Sequence, residues 1–157
     1  MTQELAGRVA VVTGAGRNIG RAIALSLAAG GAKVVVNARS NAAEASAVAA
    51  EIVASGGEAT AVLGDIADPA TAATLAAATL AKFGRADILV NNAAIRKERP
   101  IGAMTYEEWR LVMATVLDGA FLTVKALLPA LKASGAGAIV NIGGLSAHTG
   151  AKHRVHV

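Results

Sequence analysis

Residues 13–20 read TGAGRNIG, with Gly14, Gly16 and Gly20 set around Arg17, Asn18 and Ile19. Glycines at this spacing let a strand turn sharply into a helix at positive φ. The helix that follows offers free N–H groups and a partial positive charge, which suits a pyrophosphate. A second stretch, NARS at 37–40, bears on which nucleotide that is. A site specific for NAD sets Asp or Glu about 20 residues past the glycines to hold the ribose 2′-hydroxyl. Here Asn37 stands at that strand end and is neutral, while Arg39 lies two residues on and is followed by Ser40. Two guanidiniums, Arg17 and Arg39, can clasp a 2′-phosphate that a carboxylate would repel. The residues therefore predict NADP(H) rather than NAD(H).

The tail holds further groups able to do chemistry: Ser146, His148, Lys152, His153 and His156. A histidine near a serine can serve as its base, so Ser146 and His148 are the candidate catalytic residues. The H-x4-H-x2-H spacing fits no metal site, and no acidic residue lies nearby, so no metal centre is expected.

Short β-branched runs that alternate with Ala-rich helical stretches must position these groups. Strands are predicted at Val9–Val12, Lys33–Val36, Thr60–Leu63, Ile88–Val90 and Ala138–Ile142. Helical spacing predicts a first helix over Asn18–Ala29. A second opens on a capping box at Asn41–Glu44, and a third runs from Asp68-Pro69, N-cap and N1, to about Phe83. A fourth, headed by the capping box Thr105–Glu108, continues as one long helix towards Lys132; the last fifteen residues show no period. Such alternation predicts a single α/β domain over 1–157, a Rossmann-like doubly wound parallel sheet of five strands in order 3-2-1-4-5 with helices on both faces. Ligands then sit beyond the carboxyl ends of the strands, where TGAGRNIG, NARS, GDIAD (64–68) and NNAA (91–94) converge.

The 157 residues are 54% hydrophobic with four aromatics, Phe83, Tyr106, Trp109 and Phe121, so the core is aliphatic, as helices packed on a sheet require. Trp109 and Phe121 are expected in the core or at an interface. No cysteine is present, which excludes disulfides and thiolate metal sites. The N-terminus lacks the order of a signal peptide, and no apolar run approaches the roughly 18 residues of a membrane span. A cytoplasmic protein with no membrane or nucleic-acid partner is expected. The net charge of +4 comes from scattered basic residues, apart from Arg96-Lys97-Glu98-Arg99 and the tail around Lys152 and Arg154, and reads as a solvated surface.

TGAGRNIG, NARS and NNAA together resemble the short-chain dehydrogenase/reductase family, in particular its 3-oxoacyl-acyl-carrier-protein reductase-like members, over essentially the whole chain. The resemblance implies an NADP(H)-dependent oxidoreductase that reduces a carbonyl or oxidises an alcohol on a small molecule. It also implies that Asp65 and Ile66 contact the adenine and that Asn92, Ala93 and Ala94 line the ribose side. Two departures are local: the family's second glycine is Asn18 here, and its NNAG ends at Ala94. Larger ones fall on catalysis. The family uses a Tyr proton donor, a Lys four residues on, a Ser that holds the substrate oxygen and a helix Asn. The Asn position is Val116, the Ser position Gly144 and the Tyr position Val157; the single tyrosine, Tyr106, heads helix four. Family members continue through a further helix-strand-helix-strand portion that the resemblance implies this chain lacks, and they form homodimers or homotetramers.

Three functions remain open on these residues. One is an NADP(H)-dependent oxidoreductase with non-standard proton delivery, from water or a tail residue. Another is an NADP(H)-binding pseudoenzyme or fragment. The third is a non-redox enzyme on the same fold, a dehydratase or isomerase using His148 or Ser146.

Overall fold

A computed structural model describes residues 3–153, so Arg154, His156 and Val157 lie outside the described residues. Five parallel strands form one sheet in the order β3-β2-β1-β4-β5: β1 (Val9–Val12), β2 (Lys33–Ala38), β3 (Ala59–Leu63), β4 (Ile88–Asn91) and β5 (Ala138–Asn141). Their in-register residues are aliphatic, for example Val11 beside Val35 and Leu89. Because side chains alternate across a strand, consecutive aliphatic residues serve both faces, as a doubly covered sheet demands. Ala10, Val12, Val34, Val36, Ile88 and Val90 pack on one side with residues of α1 (Asn18–Ala29) and α2 (Ala42–Ala54), notably Val48 and Ile52. Val11, Val35, Val62 and Leu89 pack on the other with α3 (Pro69–Phe83) and α5 (Gly119–Ala133), through Leu75, Leu127 and Leu131. Each such Val or Leu side chain taken out of water contributes about 1.5–3 kcal/mol.

The helix starts follow the sequence signals closely. Asn41 Oδ1 accepts the N–H of Glu44 at 3.1 Å to open α2, and Asp68 Oδ1 accepts that of Ala70 at 3.0 Å to open α3. At α4 (Tyr106–Met113) the capping box is complete: Thr105 Oγ1 accepts from Glu108 N and Glu108 Oε2 accepts from Thr105 N. The long helix expected from Thr105 to Lys132 is not continuous. A π-helical turn at Ala114–Asp118 separates α4 from α5. The wider turn sets Thr115 inward and brings Gly119 against the Ile66 side chain, where a Cβ would have no room. The unperiodic tail contains one short helix, α6 (Ser146–Thr149).

Residues 106–133 are also long enough to cross a membrane and contain an 18-residue stretch apolar enough to do so, with a mean hydropathy of 1.8, contrary to the expectation that no run approaches a span. Val112, Thr115, Thr123, Leu127 and Leu131 of this stretch are buried within the fold, the pattern of a helix that covers a parallel sheet. Phe121 is 63% exposed and so is not a core residue, whereas Trp109 is half-buried.

Candidate functional site

The turn after β1 is held from beneath. Thr13, fully buried, accepts the N–H groups of Asn92 and Ala93 on its hydroxyl at 3.0 and 3.1 Å. The Asn92 amide donates back to the carbonyls of Thr13 and Gly14 at 2.9 and 3.1 Å. The loop after β4 is thereby fastened to the loop after β1, across the point where the strand order reverses. Gly14 has φ +61°, and a Cβ on it would stand 2.9 Å from Ala93 Cα. A side chain is thus excluded there by both conformation and space. A Cβ on Gly20 would stand 2.5 Å from Asn92 Nδ2, which accounts for the third glycine. Asn18, in the slot the family fills with glycine, adopts the left-handed conformation at φ +50° that asparagine tolerates.

Above this turn lies an open cleft of about 640 Å³. Every residue predicted to bind the cofactor lines it: Gly14, Gly16, Arg17, Asn18, Ile19 and Gly20 from the turn, Asn37, Arg39 and Ser40 after β2, Asp65 and Ile66 after β3, and Asn92, Ala93 and Ala94 after β4. Its size suits a dinucleotide-sized ligand. The N-terminus of α1 opens into it with no side-chain cap, unlike α2, α3 and α4, and with no acidic residue in its first turn. Its N–H groups are therefore available to an anion. The guanidiniums of Arg17 and Arg39 are exposed and, among the described residues, have no ion-pair or hydrogen-bond partner.

Asn37 plays a part the sequence did not reveal. It is 1% exposed, and its amide donates to the carbonyls of Val62 and Gly64, both at 3.2 Å, while its Oδ1 faces Gly14 N–H at 3.4 Å. Its side chain ties three loops together under the cleft. Thr13 was missed altogether; its only signal is its place between a buried strand and the first glycine. The basic run at 96–99 is also not uniformly solvated. Arg99 pairs with Glu108 at 2.6 Å and Lys97 lies 3.7 Å from the same carboxylate, while Arg96 lines the cleft. The Arg99 hydrogen bond, with the Thr105 N–H and the nearby cations, holds the Glu108 carboxyl below its usual range.

The catalytic candidates are not gathered with the rest. Neither Ser146 nor His148 lines the cleft. Val116 is partly exposed in the π-helical turn, and its neighbour Thr115 supplies that helix's polar contribution to the cleft wall. A Cβ on Gly144 would meet Ser146 Oγ at 3.3 Å, so that hydroxyl lies close to the position where the family carries its serine. Among the described residues no group of three or more His, Asp or Glu could hold a metal ion.

Strand order, glycine turn and cleft define a Rossmann-like doubly wound α/β protein, and comparison with known proteins narrows this. A family model for short chain dehydrogenase matches residues 8–156, so the chain belongs to the short-chain dehydrogenase family. It is 46% identical over 138 residues to a 3-oxoacyl-[acyl-carrier-protein] reductase of Synechocystis sp., covering 88% of this chain and 56% of that protein. It is 48% identical over 128 residues to the hydroxyacyl-CoA dehydrogenase ChsB1 of Mycobacterium tuberculosis, covering 79% of this chain and 40% of that one. The chain thus spans about half the length of the curated relatives it matches. Among solved structures, a metagenomic short-chain oxidoreductase in complex with NADP superposes with a TM-score of 0.84 at 43% identity, covering 90% of this chain and 64% of that one.

Proposed function

We propose that residues 1–157 act as one dinucleotide-binding domain that takes NADP(H), in an oxidoreductase acting on the carbonyl or alcohol group of a small molecule. The observation that carries this reading is the uncapped N-terminus of α1 flanked by the unpaired Arg17 and Arg39 in one cleft. NADP(H), when bound, supplies or accepts the hydride. In this reading the pyrophosphate lies on the N–H groups that open α1, and Arg17 and Arg39 hold the 2′-phosphate. Asp65 and Ile66 bound the adenine, and Asn92, Ala93 and Ala94 line the ribose side. The solved relative that holds NADP supports the choice of cofactor. With Val157 at the position of the family's Tyr proton donor, and Val116 and Gly144 at its Asn and Ser positions, proton delivery is non-standard in this reading. A homodimer or homotetramer belongs to the same proposal, supported by Leu117, Phe121 and Leu128, which stand exposed on the α5 side of the molecule.

A second reading, an NADP(H)-binding pseudoenzyme, is favoured by the absence of Ser146 and His148 from the cleft lining. Consumption of NADPH that depends on an added ketone supports the first reading, and binding without turnover supports the second.

The test of the cofactor assignment is a calorimetric titration of NADPH and NADH into the wild-type chain and into R17Q and R39Q at fixed salt. A charged hydrogen bond is worth about 1.5 kcal/mol or more, a little over tenfold in affinity. Each variant should lose about that factor for NADPH and nothing for NADH. Equal affinity of the wild type for both nucleotides would refute the role given to the two arginines.

A further inference from the structure

Among the described residues, the arginines outside the cleft are already engaged. Arg8 donates to the Ala136 carbonyl, and Arg21, Arg85, Arg99 and Arg110 each pair with a carboxylate. Among the described residues, the guanidiniums of Arg17, Arg39 and Arg96 have no such partner, and all three line the same cleft. Arg17 and Arg39 belong to the β1 and β2 side. Arg96 follows β4, on the opposite side of β1 in the sheet order. Adjacent strands lie about 4.8 Å apart, so the ends of β2 and β4 are separated by roughly 10 Å. Arg39 and Arg96 therefore approach the cleft from opposite sides of β1. The pyrophosphate of a dinucleotide falls between them, at the start of α1. In the NADP(H) reading the adenine lies against Asp65 and Ile66 after β3, so the reacting carbon lies towards the β4 side, from which Arg96 lines the cleft.

The surroundings of Arg96 are built. The loop that carries it is fixed on one side by the Asn92 amide under the glycine turn and on the other by Lys97 and Arg99 against Glu108. Thr115, from the π-helical turn, lines the same cleft. Ile95 is common to the cleft and to a recess of about 80 Å³ lined by Met104, Leu111 and Val112 together with the ion-paired Lys97, Arg99 and Glu108. A guanidinium beside a recess with an apolar wall suits an oxyanion that carries a short apolar chain.

We propose that Arg96 makes the substrate end of the cleft selective for an anion, so that the small-molecule substrate carries a carboxylate or phosphate besides its carbonyl or alcohol. This rests on the reading of the cleft as an NADP(H) site. Arg96 is a specificity-determining residue that contacts the substrate's oxyanion and leaves the nucleotide alone.

The experiment compares the wild-type chain with R96Q by calorimetry. NADP⁺ is titrated first. Acetoacetate, its methyl ester and inorganic phosphate are then titrated separately into the NADP⁺ complex, which has no hydride to give the ketone. NADP⁺ affinity should be the same in both proteins within twofold. In the wild type, acetoacetate or phosphate should bind at least tenfold more tightly than the uncharged ester, and R96Q should abolish that preference. Whichever anion binds more tightly identifies the source as carboxylate or phosphate. A wild type that binds NADP⁺ but prefers neither anion overturns the inference. So does an R96Q that loses tenfold or more for NADP⁺, because Arg96 would then serve the pyrophosphate. Failure of the wild type to bind NADP⁺ at all is a different result, and it removes the cofactor reading on which the inference rests.

Discussion

The two sides of the cleft are built differently. On the β1–β2–β3 side, the polar groups beneath the ligand space are committed to one another. Thr13, Asn37 and Asn92 spend their side chains on neighbouring backbone, and the loops after β1, β2, β3 and β4 form one network. On the β5 side, every residue of the edge strand is exposed, Ile139 and Val140 included, and the short α6 stands apart from the cleft. The first side is preorganised: its loops are tied to one another, and the uncapped start of α1 opens into the cleft. The second side offers a single edge strand and a one-turn helix, which hold few groups in fixed positions. On the proposed NADP(H) reading, the contrast separates the residues assigned to the nucleotide from Ser146 and His148 of the tail, and the two groups can be perturbed one at a time.

The largest effect should come from Asn37→Asp. Read from sequence, this change looks like a switch towards NAD, since it restores an acid at the end of β2. The geometry says otherwise. The amide nitrogen donates to two carbonyls at 3.2 Å, and an aspartate would set a buried carboxylate oxygen against them. Both bonds are lost and two carbonyls face a like partial charge, at a cost of about 3–5 kcal/mol. Thermal unfolding should show a fall in Tm well beyond that of an exposed substitution, and NADH affinity should not rise. A stable variant with improved NADH binding would mean that the loop network is dispensable.

Next comes Asp87, fully buried at the opposite, N-terminal end of the strands. Burial pushes its carboxyl up, but the Arg85 hydrogen bonds, the Val9 N–H and the charges of Arg85 and Arg8 outweigh burial and leave it below its usual value. A carboxyl so lowered contributes stability that is present above the unfolded value near 3.9 and is lost as pH falls through the folded one. Asp87→Ala leaves the buried Val9 N–H without its acceptor, while Arg85, 48% exposed, recovers water. The cost should be about 2–3 kcal/mol at neutral pH, shrinking below about pH 4. NADPH affinity should stay within twofold, since Asp87 lies away from the cleft. Denaturant titrations at several pH values check both parts, and a cost independent of pH would contradict the assigned ionisation.

How far the sequence reaches follows the same division. The β-α alternation and the three side-chain caps were legible because each rests on local chemistry: β-branched runs, helical spacing, and Asn41, Asp68 and Thr105 at helix starts; the strand order was expected only through the fold class that the alternation implies. The cleft lining was legible because loops after successive parallel strands must converge at one end of the sheet. What stayed hidden needed partners distant in sequence. Asn37 finds Val62 and Gly64 only once β2 and β3 pair, and Thr13 reaches Asn92 only across the β1–β4 switch. The π-helical turn was hidden for another reason. Residues 105–132 carry helical spacing throughout, and the interruption at Ala114–Asp118 shows only where Gly119 meets Ile66. Arg96 looked like one charge in a basic run until Glu108 was found to take its neighbours and not it.

The smallest effects should come from the tail. Ser146 begins a one-turn helix and is half-buried; His148 is exposed on the same turn, and neither lines the cleft. Surface substitutions away from caps and buried networks usually change stability by less than about 0.5 kcal/mol. Ser146→Ala and His148→Ala should therefore leave Tm and NADPH affinity unchanged. Gly144→Ser is the sharper companion, because it restores a hydroxyl where the family has one. Its Cβ meets only Ser146 Oγ, at 3.3 Å, and this rotatable hydroxyl can give way, so the variant should fold and bind NADPH as the wild type does. If any of the three weakens NADPH tenfold, the tail takes part in nucleotide binding and the two sides of the cleft are not separable. If all three bind normally and ketone-dependent NADPH consumption persists in Ser146→Ala and His148→Ala, neither of these two side chains supplies the proton. Thr115 is then the next polar side chain along the cleft wall to replace.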